Sequence, residues 1–199
     1  DWERTFNICW YGVYYNTRAF MPLLVASQDA HLINTSSVNG FWATLGPQSS
    51  HTAYSAAKFA VKGFSEALIT DLANNAPHVK VSVVMPGHIG TSIAINSGRI
   101  LNGRQAEELS DDDVAAMRKR WASLGMAIED TSDEQIRTLV GEMGRRFRDD
   151  APTTAEQAAA IILDGVREER WRILVGNDAH RLDELVRDDP EGAYTPEFM

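Results

Sequence analysis

A single cysteine, Cys9, stands among 199 residues, so no disulfide can form within the chain. That scarcity fits a reducing compartment, and a cytoplasmic location is the expectation. Long apolar runs are missing as well, since no stretch is long enough to span a bilayer. The opening residues, DWERTFNICW, lack the layout of a secretory signal. They also lack an initiator Met and enter at once into a helical pattern, so the chain is expected to begin within a larger fold. Basic charge is in short supply. Lys and Arg number 19 against 28 Asp and Glu, a formal net charge of -9. That balance argues against a nucleic-acid partner and against docking on anionic membranes. The histidines are scattered, and no spacing suggests a metal site. What remains, 44% hydrophobic and 24% charged residues, is the composition of an ordinary globular domain with a sizeable core.

From Trp2 to about Val25, the residues Phe6, Trp10, Val13, Tyr14, Phe20, Leu23 and Leu24 recur at helical spacing. A short strand is expected at 31–35, followed by a loop rich in Gly, Pro and Ser. Residues 53–74 read as a long helix. VKVSVVMPG reads as a second, β-branched strand stopped by Pro86 and Gly87. Residues 97–150 are charged and mostly helical in pattern, with capping boxes expected at Ser110 and Thr131. A third box at Thr153 opens a helix to about Glu169. WRILVG is then a third strand, and DAHRLDELVRD a last short helix. This alternation predicts an α/β fold, a doubly wound parallel sheet of Rossmann-like type. Ligands of such sheets sit beyond the carboxyl ends of the strands. That rule singles out NTSS, ending the first strand, and MPGHIGT, ending the second.

Three groups there could carry chemistry. Tyr54 and Lys58 lie four residues apart, on one face of a helix start. A free phenol ionises near pH 10, and a neighbouring ammonium favours the phenolate. Such a pair could exchange a proton with a carbonyl or alcohol oxygen, or could be two surface residues. Ser37 could donate a hydrogen bond to a substrate oxygen, or could stabilise a turn; Ser36 beside it could be that turn residue. In PGHIGT, Gly87 allows close approach of the backbone to a ligand. The backbone of Ile89 and the hydroxyl of Thr91 could meet an amide or phosphate, or the segment could be a loop alone.

Taken in order, these pieces resemble the short-chain dehydrogenase/reductases with a Tyr-x-x-x-Lys active site. The chain looks like the C-terminal part of that fold. DWERTFNICWYGVYYNTRAFMPLL is similar to their fourth helix, and LINTSS to their fifth strand. YSAAKFAVKGFSEAL is similar to their fifth helix, and VSVVMPGHIGT to the sixth strand with its cofactor loop. The resemblance covers residues 1 to about 95 and resumes at 153–176. It implies an oxidoreductase that passes hydride between NAD or NADP and a secondary alcohol or carbonyl of apolar character. Tyr54 would be the general acid/base. Lys58 would hold the cofactor ribose and lower the Tyr54 pKa, and Ser37 would polarise the substrate oxygen. Pro86, Gly87, Ile89 and Thr91 would line the nicotinamide end. It also implies one Rossmann-like domain over 1–199, whose residues 97–150 form a helical substrate lid. Met117, Trp121, Leu124, Met126, Ile128, Ile136, Leu139 and Met143 could form the inner face of the lid's helices, most of them as plain core and some facing the pocket. A homodimer or homotetramer would pair the long helices through surplus apolar residues such as Phe59, Val61, Phe64, Leu68, Ile69 and Leu72.

The sequence departs from the family pattern in three places. The Asn that usually precedes the Gly of the fourth helix by three positions is replaced here by Cys9, a weak donor and acceptor. The expected result is a slowed or rerouted proton relay. The loop between Ser37 and Tyr54 is longer than usual and carries Phe41, Trp42 and Pro47. The glycine-rich turn that would hold a dinucleotide pyrophosphate occurs nowhere in the 199 residues. A second expectation therefore stands beside the enzyme, a non-catalytic binding or scaffold protein that keeps the fold.

Overall fold

Val79–Pro86 is the run that organises the molecule. Only Lys80 in it is exposed, and residues 81 to 85 are all buried, Ser82 among them. A strand apolar on both faces must lie in the middle of a covered parallel sheet. In the computed structural model, which describes residues 2–44, 51–128, 130–195 and 197–198, that is its position. This strand, β2, pairs in parallel with β1 (Ala30–Thr35) on one side and β5 (Arg172–Val175) on the other. The register brings Thr35 opposite Val84 and Pro86 opposite Val175. The carboxyl ends of all three strands therefore reach one edge of the sheet.

The described residues divide into two compact units, residues 1–88 with 156–199, and residues 89–155. In the first unit the fourth-helix segment comprises α1 (Trp2–Phe6), a π-helical turn at Asn7–Tyr11, and α2 (Gly12–Ala26). α3 (Thr52–Asn75) connects β1 to β2, and α7 (Ala155–Arg167) leads to β5. α8 (Asn177–Asp188) closes the order. Met21 and Leu24 of α2 and Leu68, Ile69 and Leu72 of α3 pack onto Val79 and Val81. Val38, Phe41, Ala179 and Leu182 pack onto Val83, Met85 and Leu174. Full burial of Val and Ile side chains such as Val83 and Ile173 contributes about 1.5–3 kcal/mol each. The result is the α/β, Rossmann-like parallel sheet that the alternation of patterns predicts.

The surplus of apolar residues on the long helix is largely used inside the chain. Val61 and Leu72 are buried, Leu68 and Ile69 join the core, and Phe64 meets Trp10 and Tyr14 edge-on. Of that set, Phe59 is the residue that stays exposed. The larger exposed apolar surface is on the N-terminal helices: Trp2, Ile8, Tyr11, Tyr15, Phe20 and Leu23.

The second unit has its own core. α4 (Ile93–Asn102), α5 (Asp111–Ser123) and α6 (Asp133–Asp149) lie in it. Leu109, Val114, Trp121, Ile128 and Ile136 are buried together, with Met117 and Val140 against them. Of the expected inner face, Met126, Leu139 and Met143 remain exposed. The Ser110 capping box is formed with Asp113. The second box sits one residue later than expected, on Ser132 with Gln135, because the hydroxyl at 132 reaches the Gln135 N–H. Thr153–Thr154 is a two-residue strand, β4, paired in parallel with β3 (Ile89–Gly90), and α7 begins at Ala155. Among the described residues no helix is long and apolar enough to cross a membrane, and no group of His, Cys, Asp or Glu is placed to hold a metal ion.

Candidate active site

The end of β1 is fastened to α3 by three consecutive residues, 34 to 36. Asn34 donates from Nδ2 to Ser65 Oγ at 3.0 Å, and Ser65 donates in turn to Val61 O at 2.7 Å. The Thr35 carbonyl accepts from Lys58 Nζ at 3.0 Å. Ser36 Oγ donates to the Lys58 carbonyl at 2.8 Å. Ser37 Oγ accepts from the Asn39 N–H at 3.1 Å and lies near enough to Tyr54 to act on its phenol. Ser36 thus serves the strand–helix joint, not the turn. Small residues at the helix start allow this approach: Ala57 and Ser55 are buried against the strand end. Gly40 is needed for the same reason, since a Cβ there would lie 2.3 Å from Ser36 Oγ and 3.0 Å from the Lys58 carbonyl.

Ser37, Tyr54 and Lys58 therefore converge. The Lys58 ammonium lies 5.5 Å from the Tyr54 ring centroid. Cys9 joins them from the π-helical turn, where the Gly12 N–H donates to the Asn7 carbonyl, five residues back, instead of four. Such turns widen a helix locally and recur at functional sites. Cys9 is close enough to Lys58 and Tyr54 to interact with the charge of each. Asn7 is exposed.

Burial sets the electrostatics. It pushes the Tyr54 phenol above its ordinary value; the Ser37 hydrogen bond pulls the other way, and Cys9 adds to the rise. Burial also lowers the Lys58 ammonium, against a smaller opposite pull from Cys9. The Cys9 thiol is raised by burial and eased down by Lys58. The downward shift of Tyr54 by Lys58 expected from the sequence is not what this geometry gives. The ammonium is drawn to the Thr35 carbonyl, and the loss of hydration around a buried phenolate outweighs the Ser37 bond.

Pro86 and Gly87 end β2 at the same edge, in the same unit. The Gly87 N–H donates to Val175 O at 3.0 Å, and the His88 N–H to Asp178 Oδ2 at 2.6 Å. Ile89 and Thr91 fall in the second unit, where Ile89 pairs with Thr153 and the Thr91 N–H donates to the Ile89 carbonyl at 2.8 Å. None of the expected site residues lines the groove of about 510 Å³ in that unit, which is bounded by Ala127, Asp130, Thr131 and Leu139. Pro47 of the long loop lies outside the described residues.

Three residues beside Tyr54, Ser37 and Gly87 escaped the reading of the sequence. His51, treated there as one of several scattered histidines, sets its ring edge-on to Tyr54 at 6.1 Å. Its place three residues before Tyr54 at the helix start was the available signal. Asp178 holds the loop after Gly87, signalled only by a carboxylate in the first turn of a helix. Asn39 lies under Ser37, and the Asn-Gly pair at 39–40 marked no more than a turn.

The short chain dehydrogenase family model matches residues 1–100. A Mycobacterium tuberculosis (strain H37Rv) protein named as oxidoreductase SadH is 33% identical over 187 residues, 94% of this chain and 54% of that protein. An uncharacterised oxidoreductase of Staphylococcus aureus (strain MRSA252) is 30% identical over 115 residues, 58% of this chain and 46% of that one. Among solved structures, a short chain dehydrogenase/reductase from Burkholderia phymatum, crystallised with NAD, superposes with a TM-score of 0.65 at 24% identity. The match covers 98% of this chain and 60% of that one. The chain thus spans about half the length of the curated relatives it matches. From the matched half of the sequence, and from a fold shared along nearly its whole length, the conclusion is that this chain belongs to the short chain dehydrogenase family.

Proposed function

We propose that this chain carries the proton-transfer centre of a nicotinamide-dependent oxidoreductase acting on a secondary alcohol or carbonyl. The observation that carries the reading is the convergence of Ser37, Tyr54 and Lys58 at the carboxyl edge of the sheet. Ser37 donates a hydrogen bond to the substrate oxygen and holds it beside the phenol. In reduction, Tyr54 gives its proton to that oxygen as the carbonyl becomes an alcohol; in oxidation it takes the proton back. A phenol kept neutral by burial is suited to the donating role.

The residues present fit the nicotinamide ribose. The Lys58 ammonium carries three N–H donors, and the Thr35 carbonyl takes one of them, leaving donors for hydroxyls. Lys58 and Tyr54 would hold the ribose, and Pro86, Gly87, Ile89 and Thr91 would line the nicotinamide end. When bound, NAD or NADP supplies or accepts the hydride. Cys9 stands where a better hydrogen-bonding group would pass protons on from Lys58, so the relay to solvent is slowed. Residues 97–150, acting as a lid, would favour a substrate of apolar character.

Tyr54→Phe, made in the protein together with its upstream coding sequence, tests the reading. NAD(P)H oxidation over a panel of ketones is expected to be lost while NAD(P)H binding, followed by fluorescence, is kept. Persistent turnover refutes the role of Tyr54. Cys9 also favours a second reading, a binding or scaffold protein without turnover. A glycine-rich strand–turn–helix upstream supports the enzyme; a start codon near residue 1 supports the other. Assembly as a homodimer or homotetramer would cover the exposed aromatic surface of α1 and α2, and light scattering at micromolar concentration would reveal it. A cytoplasmic location accords with the one free thiol.

A further inference from the structure

Asn39 is 2% exposed, and its polar groups are directed into one turn. Its backbone N–H donates to Ser37 Oγ at 3.1 Å. Its side-chain Nδ2 donates to two carbonyls, Trp42 O at 3.1 Å and Thr44 O at 3.0 Å. A serine hydroxyl has one proton and two lone pairs. With one lone pair occupied by the Asn39 N–H, Ser37 keeps its proton for another acceptor, and accepting a hydrogen bond makes a hydroxyl a stronger donor.

The same turn is supported from outside by the C-terminal segment. The Trp42 indole N–H donates to Ala193 O at 2.8 Å, and the Ala43 N–H donates to the Tyr194 hydroxyl at 3.0 Å. The rings of Trp42 and Phe198 are 5.6 Å apart. Residues 151 positions away in sequence thus hold a loop that begins at the site.

We propose that Asn39 is a positioning residue for the Ser37–Tyr54 pair, holding Ser37 Oγ so that its one proton is offered to the Tyr54 oxygen in the substrate-free protein and to the substrate oxygen when substrate binds, with Trp42 and the C-terminal segment as the outer support of the same turn. This rests on the reading of Ser37 and Tyr54 given under Proposed function. A merely structural Asn39 would alter stability and leave the ionisation of Tyr54 alone.

The test follows the 13Cζ resonance of Tyr54 against pH in the full chain labelled with 13Cζ-tyrosine, assigned with Tyr54→Phe. Far-ultraviolet circular dichroism at each pH confirms folding. Ser37→Ala is expected to raise the ionisation midpoint, because the donor that stabilises the phenolate is gone. Asn39→Ala keeps the backbone N–H but frees the turn, and is expected to weaken the acidity of Tyr54 roughly threefold in the same direction. The double variant is expected to match Ser37→Ala alone. Trp42→Phe keeps a ring against Phe198, loses the indole donor, and is expected to shift the midpoint the same way by less. If Ser37→Ala moves the midpoint and Asn39→Ala does not, the proposal is overturned and the Ser37–Tyr54 couple stands. If Ser37→Ala has no effect, the couple itself is wrong. Should Asn39→Ala fail to fold, Trp42→Phe decides, and an unchanged midpoint overturns the proposal.

Discussion

Gly87→Ala puts the packing beside the strand end to a quantitative trial. A Cβ at this position would lie 2.2 Å from Asp178 Oδ2, 2.5 Å from Cγ and 2.6 Å from Oδ1. No relaxed structure tolerates such contacts, so the carboxylate must swing aside. Moving it breaks the hydrogen bond that the His88 N–H donates to Oδ2 at 2.6 Å. A hydrogen bond to a charged group is worth about 1.5–3 kcal/mol. Against this, replacing Gly by Ala restricts the unfolded chain and returns about 0.4–1 kcal/mol. Its backbone lies outside the left-handed region, so alanine adds no φ penalty. The expected net loss is about 1–2 kcal/mol, measured as a lower urea midpoint at unchanged slope. Asp178→Ala removes both the clash and the bond, and costs a similar amount on its own. In that background the Gly87 substitution is expected to cost nothing further, so the two are coupled by about the whole single loss. Simple additivity of the two losses, or a Gly87→Ala protein more stable than the parent, would refute the argument that Gly87 exists to admit the Asp178 carboxylate.

Two further expectations concern charge. Because burial raises the Cys9 thiol, iodoacetamide is expected to alkylate it more slowly than free glutathione at pH 8, with the gap narrowing as pH rises. Lys58→Ala removes the opposing pull and should slow alkylation further; a faster reaction would mean that Lys58 does not act on Cys9. Asp183 is held below its ordinary value first by its hydrogen bonds from Arg172 and then by Arg187, against burial. A depressed carboxylate lends stability above its unfolded pKa and loses it as pH falls through the folded one, so this contribution is present at neutrality and fades below about pH 4. Asp183→Asn strands the buried Arg172 guanidinium and is expected to cost about 3 kcal/mol in chemical denaturation at pH 7. That loss should shrink toward pH 3, and a pH-independent loss would contradict the ion-pair account.

The legible parts of the chain were those where local pattern and distant packing agree. Val79–Pro86 reads as a buried central strand because no polar alternation interrupts it, and it is one. Tyr54 and Lys58 share a helix face by spacing alone, which holds wherever α3 goes. Illegible features depend on partners far along the chain. Nothing in NICWY announces a π-helical turn, yet it is what carries Cys9 beside Lys58. Thr153 looks like a cap, and becomes a strand because Ile89 is there to pair with it. Phe64 looks like surplus surface until Trp10 and Tyr14 cover it. The direction of the Tyr54 shift was missed for the same reason: spacing reveals a nearby ammonium, but not the water that folding removes.

The three successive fastenings from residues 34 to 36 onto the long helix make Tyr54 and Lys58, the groups proposed to react, part of the frame itself. With Tyr54 in the proposed role, heat that prises this strand from this helix would disarm the phenol at the same moment. Inactivation and global melting would then share one temperature, leaving no folded but chemically idle form between them.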